Sequence, residues 1–191
     1  VMVITGGPGT GKTTIINAII RIYQRAGQRV LLAAPTGRAA KKMSEATGCE
    51  AKTIHRLLEF SPKNKDFKKN EQERLDADLI IIDETSMVDT VLMHQLLKAV
   101  HPETTLVLVG DTDQLPSVGA GNILKDIIES GRVPKLRLNA IFRQAKESMI
   151  IINAHRINSG EFPHIDSGKD KLQDFYFVEL EEPEKVSEMI I

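Results

Sequence analysis

The sequence predicts an α/β fold, a parallel sheet flanked by helices, and three observations carry that prediction. Continuous apolar runs of strand length alternate with stretches of helix length through most of the chain. Such runs belong to strands buried on both faces. A glycine-rich segment, Gly6 to Thr13, joins the first apolar run to the first helical stretch. A later run, Leu79-Ile80-Ile81-Ile82, ends in two adjacent acids, Asp83 and Glu84.

Taken in order, strands are expected over 1–5, 29–34, 79–82 and 105–109, and helices over 12–26, 38–47, 89–100 and 122–130. Right-handed crossovers between parallel strands then bring every loop that follows a strand to one edge of the sheet, where ligands bind in such folds. Residues 61–76 break the alternation, being polar, Lys-rich and punctuated by Pro62 and Asn64. Composition shifts again near Gly131 to Pro134. Beyond that point a strand over 135–142, a helix over 148–158, a strand near 175–179 and a last helix are expected. The expected division is a first domain over 1–133, with a small insert at about 60–75, and the incomplete beginning of a second over 134–191. The chain opens at Val1 inside an apolar run and stops at Ile191 in a helical pattern. Both ends are therefore expected to be cuts within a longer protein.

Bulk properties narrow the class. Of 191 residues, 41% are hydrophobic and 27% charged, enough for a packed core and unlike a disordered chain. A net charge of −1 excludes a globally basic footprint but leaves room for a local basic stripe. Residues 36–74 hold ten Lys/Arg against six Asp/Glu, and residues 161–191 hold three against nine. The single Cys49 rules out an internal disulfide framework and fits a reducing, cytoplasmic setting. No apolar run is long enough to span a bilayer, so no membrane partner is expected.

Gly6-Gly7-Pro8-Gly9-Thr10-Gly11-Lys12-Thr13 matches the spacing G-x-x-x-x-G-K-[ST] between a strand and a helix. The glycines let successive backbone amides converge on phosphate oxygens, and the helix N-terminus adds a favourable dipole. Gly7, Pro8, Gly9, Thr10, Gly11, Lys12, Thr13 and Thr14 are thus the candidate ATP-binding residues. Lys12 faces the β/γ-phosphates and the Thr13 hydroxyl holds Mg²⁺. A glycine-rich turn without a ligand is the plainer alternative, and the strand–loop–helix context argues against it. A second Mg²⁺ carboxylate is needed at a neighbouring strand end, and Asp83 supplies it. Glu84 is the candidate general base toward the attacking water. A third strand, over 105–109, leads into Gly110-Asp111-Thr112-Asp113-Gln114. The Gln114 amide suits a sensor of the γ-phosphate, while a merely solvated turn is the competing reading.

GGPGTGKTT, APTGRAA, TIHRLL, IIDETSMVD and LVGDTDQLPSVGAGN, in that order, resemble motifs I, Ia, Ib, II and III of superfamily 1 helicases. The wording is that of the RecD branch, the exodeoxyribonuclease V alpha-chain-like helicases. IFRQA followed by NAHRINSGE resembles motif IV and the helix after it. The resemblance covers nearly the whole chain. It implies RecA-like motor domains, ATP and Mg²⁺, translocation on single-stranded DNA in the 5′ to 3′ sense, and unwinding of duplex junctions in repair or recombination. Other helicase or nuclease subunits are implied as partners. It also implies that Arg143 reaches the γ-phosphate as an arginine finger, and that Gln114 couples nucleotide state to movement. Pro35, Thr36, Gly37 and Arg38, with Thr53 and His55, are implied to touch the DNA backbone. By itself His55 suits a packed or capping role as well. The adenine-contacting segment and motifs V and VI of the family would lie outside these 191 residues. Asn139-Ala140 departs from the Thr-Glu-like pair that the family pattern leads one to expect before IFRQ.

Three other functions fit the sequence less well. A switch GTPase needs an N-K-x-D motif after a late strand, and Asn64-Lys65-Asp66 has the wrong spacing. A small-molecule kinase shares the phosphate loop but leaves 110–114 and Arg143 without a role. A scaffold with a decayed ATPase site is at odds with catalytic positions that are all filled. Within the insert, an aromatic at each end and a turn between them suit a β-hairpin over 60–67. Lys63, Lys65, Lys68 and Lys69 are expected to attract phosphates beside it, and the hairpin is a candidate strand-separating pin. An ordinary solvated loop is the alternative.

Overall fold

The computed structural model describes residues 1–140, 148–165, 174–176 and 178. They fall in two compact units, 1–141 and 142–191.

The first unit holds a six-stranded parallel sheet of order β3-β2-β6-β7-β1-β8. Its strands are β1 (Met2–Gly6), β2 (Val30–Ala34), β3 (Ala51–Thr53), β6 (Leu79–Ile82), β7 (Thr105–Gly110) and β8 (Lys135–Leu138). A two-stranded antiparallel ribbon, β4 (Phe60–Ser61) with β5 (Asp66–Phe67), lies outside it. Side chains alternate across the sheet because strand residues point to opposite faces in turn. Val3, Ile80, Ile82, Leu106 and Leu108 enter one core with Ile54, Leu92, Met93, Leu96 and Leu124. Ile4, Leu79, Ile81, Val107 and Val109 enter the other with Ile16, Ile20 and Met43. Helices α1 (Lys12–Arg25) and α2 (Gly37–Thr47) therefore cover one face, and α3 (Ile54–Leu57), α4 (Thr90–Ala99) and α5 (Ile123–Glu129) cover the other.

Local chemistry sets where the helices begin. Thr36, Thr53 and Asp89 cap α2, α3 and α4, their side-chain oxygens accepting from Ala39 N (3.2 Å), Arg56 N (3.2 Å) and Leu92 N (2.8 Å). Each satisfies one amide that the first turn leaves unpaired. α2 ends at Gly48, which takes the left-handed φ of 69°.

Two expectations need correction. Lys135–Leu138 pairs in parallel with β1, Ile4 beside Leu136. The break between units accordingly lies after Ile141, not between 133 and 134. The composition shift at Gly131 to Pro134 marks only the turn that brings β8 back to the sheet edge. Of the strand expected near 175–179, residues 175, 176 and 178 carry no strand, and the rest lies outside the described residues. In the second unit α6 (Met149–Asn158) is capped by Ser148. The buried Asn153 amide both donates to His164 O (3.0 Å) and accepts from His164 N (2.7 Å). Among the described residues no helix is long and apolar enough to cross a membrane.

Candidate nucleotide and DNA site at the carboxyl edge of the sheet

The register brings the functional candidates together. Thr5 lies beside Gly110, Ile82 beside Leu108 and Ala33, and Ala34 beside Thr53. All six parallel strands end at one edge, so the loops after β1, β2, β3, β6 and β7 open side by side. The 7–14, 35–38, 53–55, 83–84 and 111–114 segments share that edge.

The loop after β1 is shaped by Gly9 (φ 72°) and Gly11 (φ 87°), both in the left-handed region that favours glycine. Gly11 caps α1 with no side-chain hydrogen bond, so the amides of the first turn remain available to an anion. Thr10 is buried, and its hydroxyl donates to Gly7 O at 2.8 Å. Lys12 Nζ donates to Gly6 O (2.6 Å) and Gly7 O (3.0 Å), folding the cation over the mouth of the loop. Thr13 and Thr14 are exposed, and Gly7 and Pro8 half-buried.

At the end of β6, Asp83 N donates to Ala33 O (2.9 Å) and Asp83 Oδ1 accepts from Glu84 N (2.9 Å). Glu84 adopts φ 52° and ψ 41°, a left-handed conformation uncommon outside glycine, before a 3-10 turn at Thr85–Met87. Strain of this kind is of order 1–3 kcal/mol and concentrates at functional sites. Burial pushes the Asp83 carboxyl above its ordinary value, with the Glu84 amide, Lys12 and Lys42 pulling the other way. Burial raises Glu84 as well, and the neighbouring Asp83 charge adds to it. Glu84 Oε2 and Ser86 Oγ are buried with no hydrogen-bond partner among the described residues.

The uncapped α1 terminus, the overhanging Lys12 and the orphaned Glu84 oxygen fit a bound nucleoside triphosphate with its divalent ion. The two chemistries needed, amide donors with a cation and an unpartnered carboxylate, stand at the ends of β1 and β6, which flank β7 in the sheet. Three participants escaped the reading of the sequence. The positive charge of Lys42 on α2 favours ionisation of both acids, and Asp111, only 2% exposed, opposes that of Glu84. Lys42 is one of two adjacent lysines on the exposed surface of α2, so only its place in the fold singles it out. Asp111 and Ser86 sit in the recognised motifs, yet their burial is a tertiary property.

Gln114 is exposed, and its backbone N–H donates to Asp111 O at 3.4 Å. Arg143 lies outside the described residues. Pro35 and Thr36 are half-buried, Gly37 and Arg38 exposed at the start of α2, and Thr53 half-buried at the start of α3. The caps at Thr36 and Thr53 use only an acceptor of each hydroxyl, which keeps its O–H for another partner. His55 is exposed but packed, its ring 5.6 Å from Phe60 and 5.7 Å from Phe67, which are themselves 4.9 Å apart. This triad joins α3 to the root of the β4–β5 hairpin, where Phe60 pairs with Phe67. Of the four lysines expected to draw phosphates, Lys68 and Lys69 are instead engaged with Glu59 and Glu73 at 2.6 to 3.9 Å. Lys63 and Lys65 remain exposed at the tip.

A family model described as an AAA domain matches residues 1–120. The chain belongs to that family. Within it, the chain is similar to the ATP-dependent RecD2 DNA helicase of Deinococcus radiodurans, 44% identical over 162 residues. That match covers 85% of the chain and 22% of the relative. It is also 44% identical over 151 residues to the RecBCD enzyme subunit RecD of Mycolicibacterium smegmatis, covering 66% of the chain and 27% of the subunit. The crystal structure of Pif1 helicase from Candida albicans superposes with a TM-score of 0.59 at 26% identity, over 85% of this chain and 41% of that one. The RecA-like α/β fold expected from the motifs is thus the fold observed, and the family implies nucleotide binding.

Proposed function

We propose that this chain carries the first motor domain of an ATP-dependent DNA helicase of the RecD type. It couples ATP hydrolysis to 5′ to 3′ translocation on single-stranded DNA and to unwinding at duplex junctions, in repair or recombination. The observation that carries the reading is the single sheet edge at which Lys12, Thr13, Asp83, Glu84 and Gln114 lie beside Thr36 and Thr53.

In this reading the 7–14 segment binds the triphosphate through its amides and Lys12 leaves the Gly6 and Gly7 carbonyls for the β/γ-phosphates. Thr13 and Asp83 would hold Mg²⁺, which when bound neutralises charge developing on the phosphoryl oxygens. Glu84 takes the proton of the attacking water; its burial favours the proton-accepting role near neutral pH. Gln114 reads the γ-phosphate and Arg143 is its arginine finger. We take the second unit as the beginning of a second motor domain. Pro35, Thr36, Gly37, Arg38, Thr53 and His55 track the DNA backbone, contacts that position without reading sequence. The hairpin over 60–67 is the strand-separating pin, held to α3 by His55, Phe60 and Phe67. A cytoplasmic setting and assembly with nuclease or helicase subunits belong to the same proposal.

The test is ATP turnover by the intact protein with and without single-stranded DNA. Turnover should be DNA-stimulated and should fall by about 10³-fold in Lys12→Ala. Turnover indifferent to both DNA and Lys12 would refute the proposal.

A further inference from the structure

The 111–121 loop has two ends that are both fastened to the segment carrying Glu84. At its root, Gly110 packs so closely that a Cβ there would stand 3.2 Å from Ser86 N and 3.3 Å from Thr85 N. At its far end the Ala120 carbonyl accepts two hydrogen bonds from one residue, Thr90 N (3.0 Å) and Thr90 Oγ1 (2.9 Å). Glycines flank that carbonyl for a steric reason. A Cβ on Gly119 would fall 2.3 Å from Asp89 Oδ2, and one on Gly121, at φ 102°, would fall 2.1 Å from Thr90 Oγ1. The Ser117 hydroxyl closes the curve internally on Gly119 O (2.9 Å) and Gly121 O (3.2 Å). Asp89 is itself immobilised as the cap of α4. Between these anchors Leu115 and Val118 stand almost fully exposed.

We propose that Asp89 and Thr90 form a clasp that positions the Gln114 loop relative to Glu84, so that the two move as one piece when nucleotide state changes. They are positioning residues and touch no reacting atom. The inference rests on the reading of Gln114 and Glu84 given above, and deepens it. A loop of this length held only by β7 and by the chain entering α5 at Asn122 would sample many positions of Gln114. Tying its far end to α4, which starts six residues after Glu84, removes that freedom before nucleotide arrives. The apolar side chains at the crest are carried with it.

Three variants of the intact protein test this, Thr90→Val, Thr90→Ser and Gly121→Ala, with Gln114→Ala alongside. Thr90→Val keeps the shape and the backbone hydrogen bond but removes the hydroxyl donor. Amide hydrogen exchange over 112–120 should quicken while exchange in β6 and β7 stays unchanged. DNA-stimulated kcat should fall about three- to tenfold, the worth of one hydrogen bond, with KM for ATP unaltered. Thr90→Ser should restore both, and Gly121→Ala, which displaces the loop outright, should lower kcat further. Faster exchange with normal kcat would reduce the clasp to a structural staple and overturn the proposal. So would a rise in KM equal to the fall in kcat, or unchanged exchange. If Gln114→Ala turns over normally, the sensor reading itself fails and the coupling falls with it. If only Gln114→Ala is impaired, the sensor stands and the clasp does not.

Discussion

One chemical change, Gly→Ala, should have three different outcomes at Gly6, Gly48 and Gly37. At Gly6 the new methyl would meet Thr10 Oγ1 at 2.6 Å, Leu138 O at 2.8 Å and Leu138 Cβ at 3.0 Å. None of these gives way easily. Thr10 is buried and bonded to Gly7 O, and Leu138 O is backbone of the strand paired with β1. Relief requires either lifting β8 or displacing the phosphate loop. Overpacking of this kind is worth about 2 kcal/mol, or roughly 4–8 °C in Tm for a chain of this size. At Gly48 nothing lies within 4 Å, and only the left-handed φ of 69° opposes a side chain. Ala there costs about 1 kcal/mol. At Gly37, also with open space and no positive φ, Ala fits the first turn of α2 and should stabilise by about 0.5 kcal/mol. The assay is thermal melting followed by circular dichroism, with titration of a fluorescent ATP analogue in Mg²⁺. Gly6→Ala should weaken nucleotide binding as well as Tm. Gly48→Ala should lower Tm alone, because the C-terminus of α2 lies at the opposite edge of the sheet. Equal losses of Tm with unchanged nucleotide affinity in both would refute the steric argument.

Further expectations concern the acid pair and the hairpin. Because burial raises the folded pKa of Glu84 above its ordinary 4.5, folding disfavours its ionisation. Stability attached to this group is present below 4.5 and is lost as pH rises through the folded value. Glu84→Gln should therefore melt higher than the native protein at pH 8, with the gap closing toward pH 4.5, while ATP still binds and is not hydrolysed. A gap that widens on acidification would contradict the sign. Replacing only residues 62–65 by a Gly/Ser turn keeps the Phe60–Phe67 anchor and removes the tip with Lys63 and Lys65. Unwinding by the intact protein should collapse while DNA-stimulated ATP hydrolysis survives, and unwinding at the normal rate would leave the segment an ordinary loop.

What the sequence determined by itself was what depends on near neighbours along the chain. The apolar runs that became β1, β2, β6 and β7 are readable because burial on both faces demands unbroken Val, Ile and Leu. The turn at 6–13 is equally local, so the site edge followed once the strands were taken as parallel. Tertiary structure decided the rest. β3, only Ala51-Lys52-Thr53, has no apolar run, and exists because β2 offers its edge. β8, exposed and charged, became part of the first sheet because β1 had a free side, a pairing across more than 130 residues that no local pattern encodes. Lys68 and Lys69 look like phosphate ligands in the chain, until the hairpin folds them against Glu59 and Glu73. Likewise, the orphaned Glu84 oxygen, the pull of the Lys42 charge on Glu84 and the hydrogen bonds of Thr90 to Ala120 arise from groups far apart in sequence. Their energies depend on desolvation and distance, which exist only once the layers have packed.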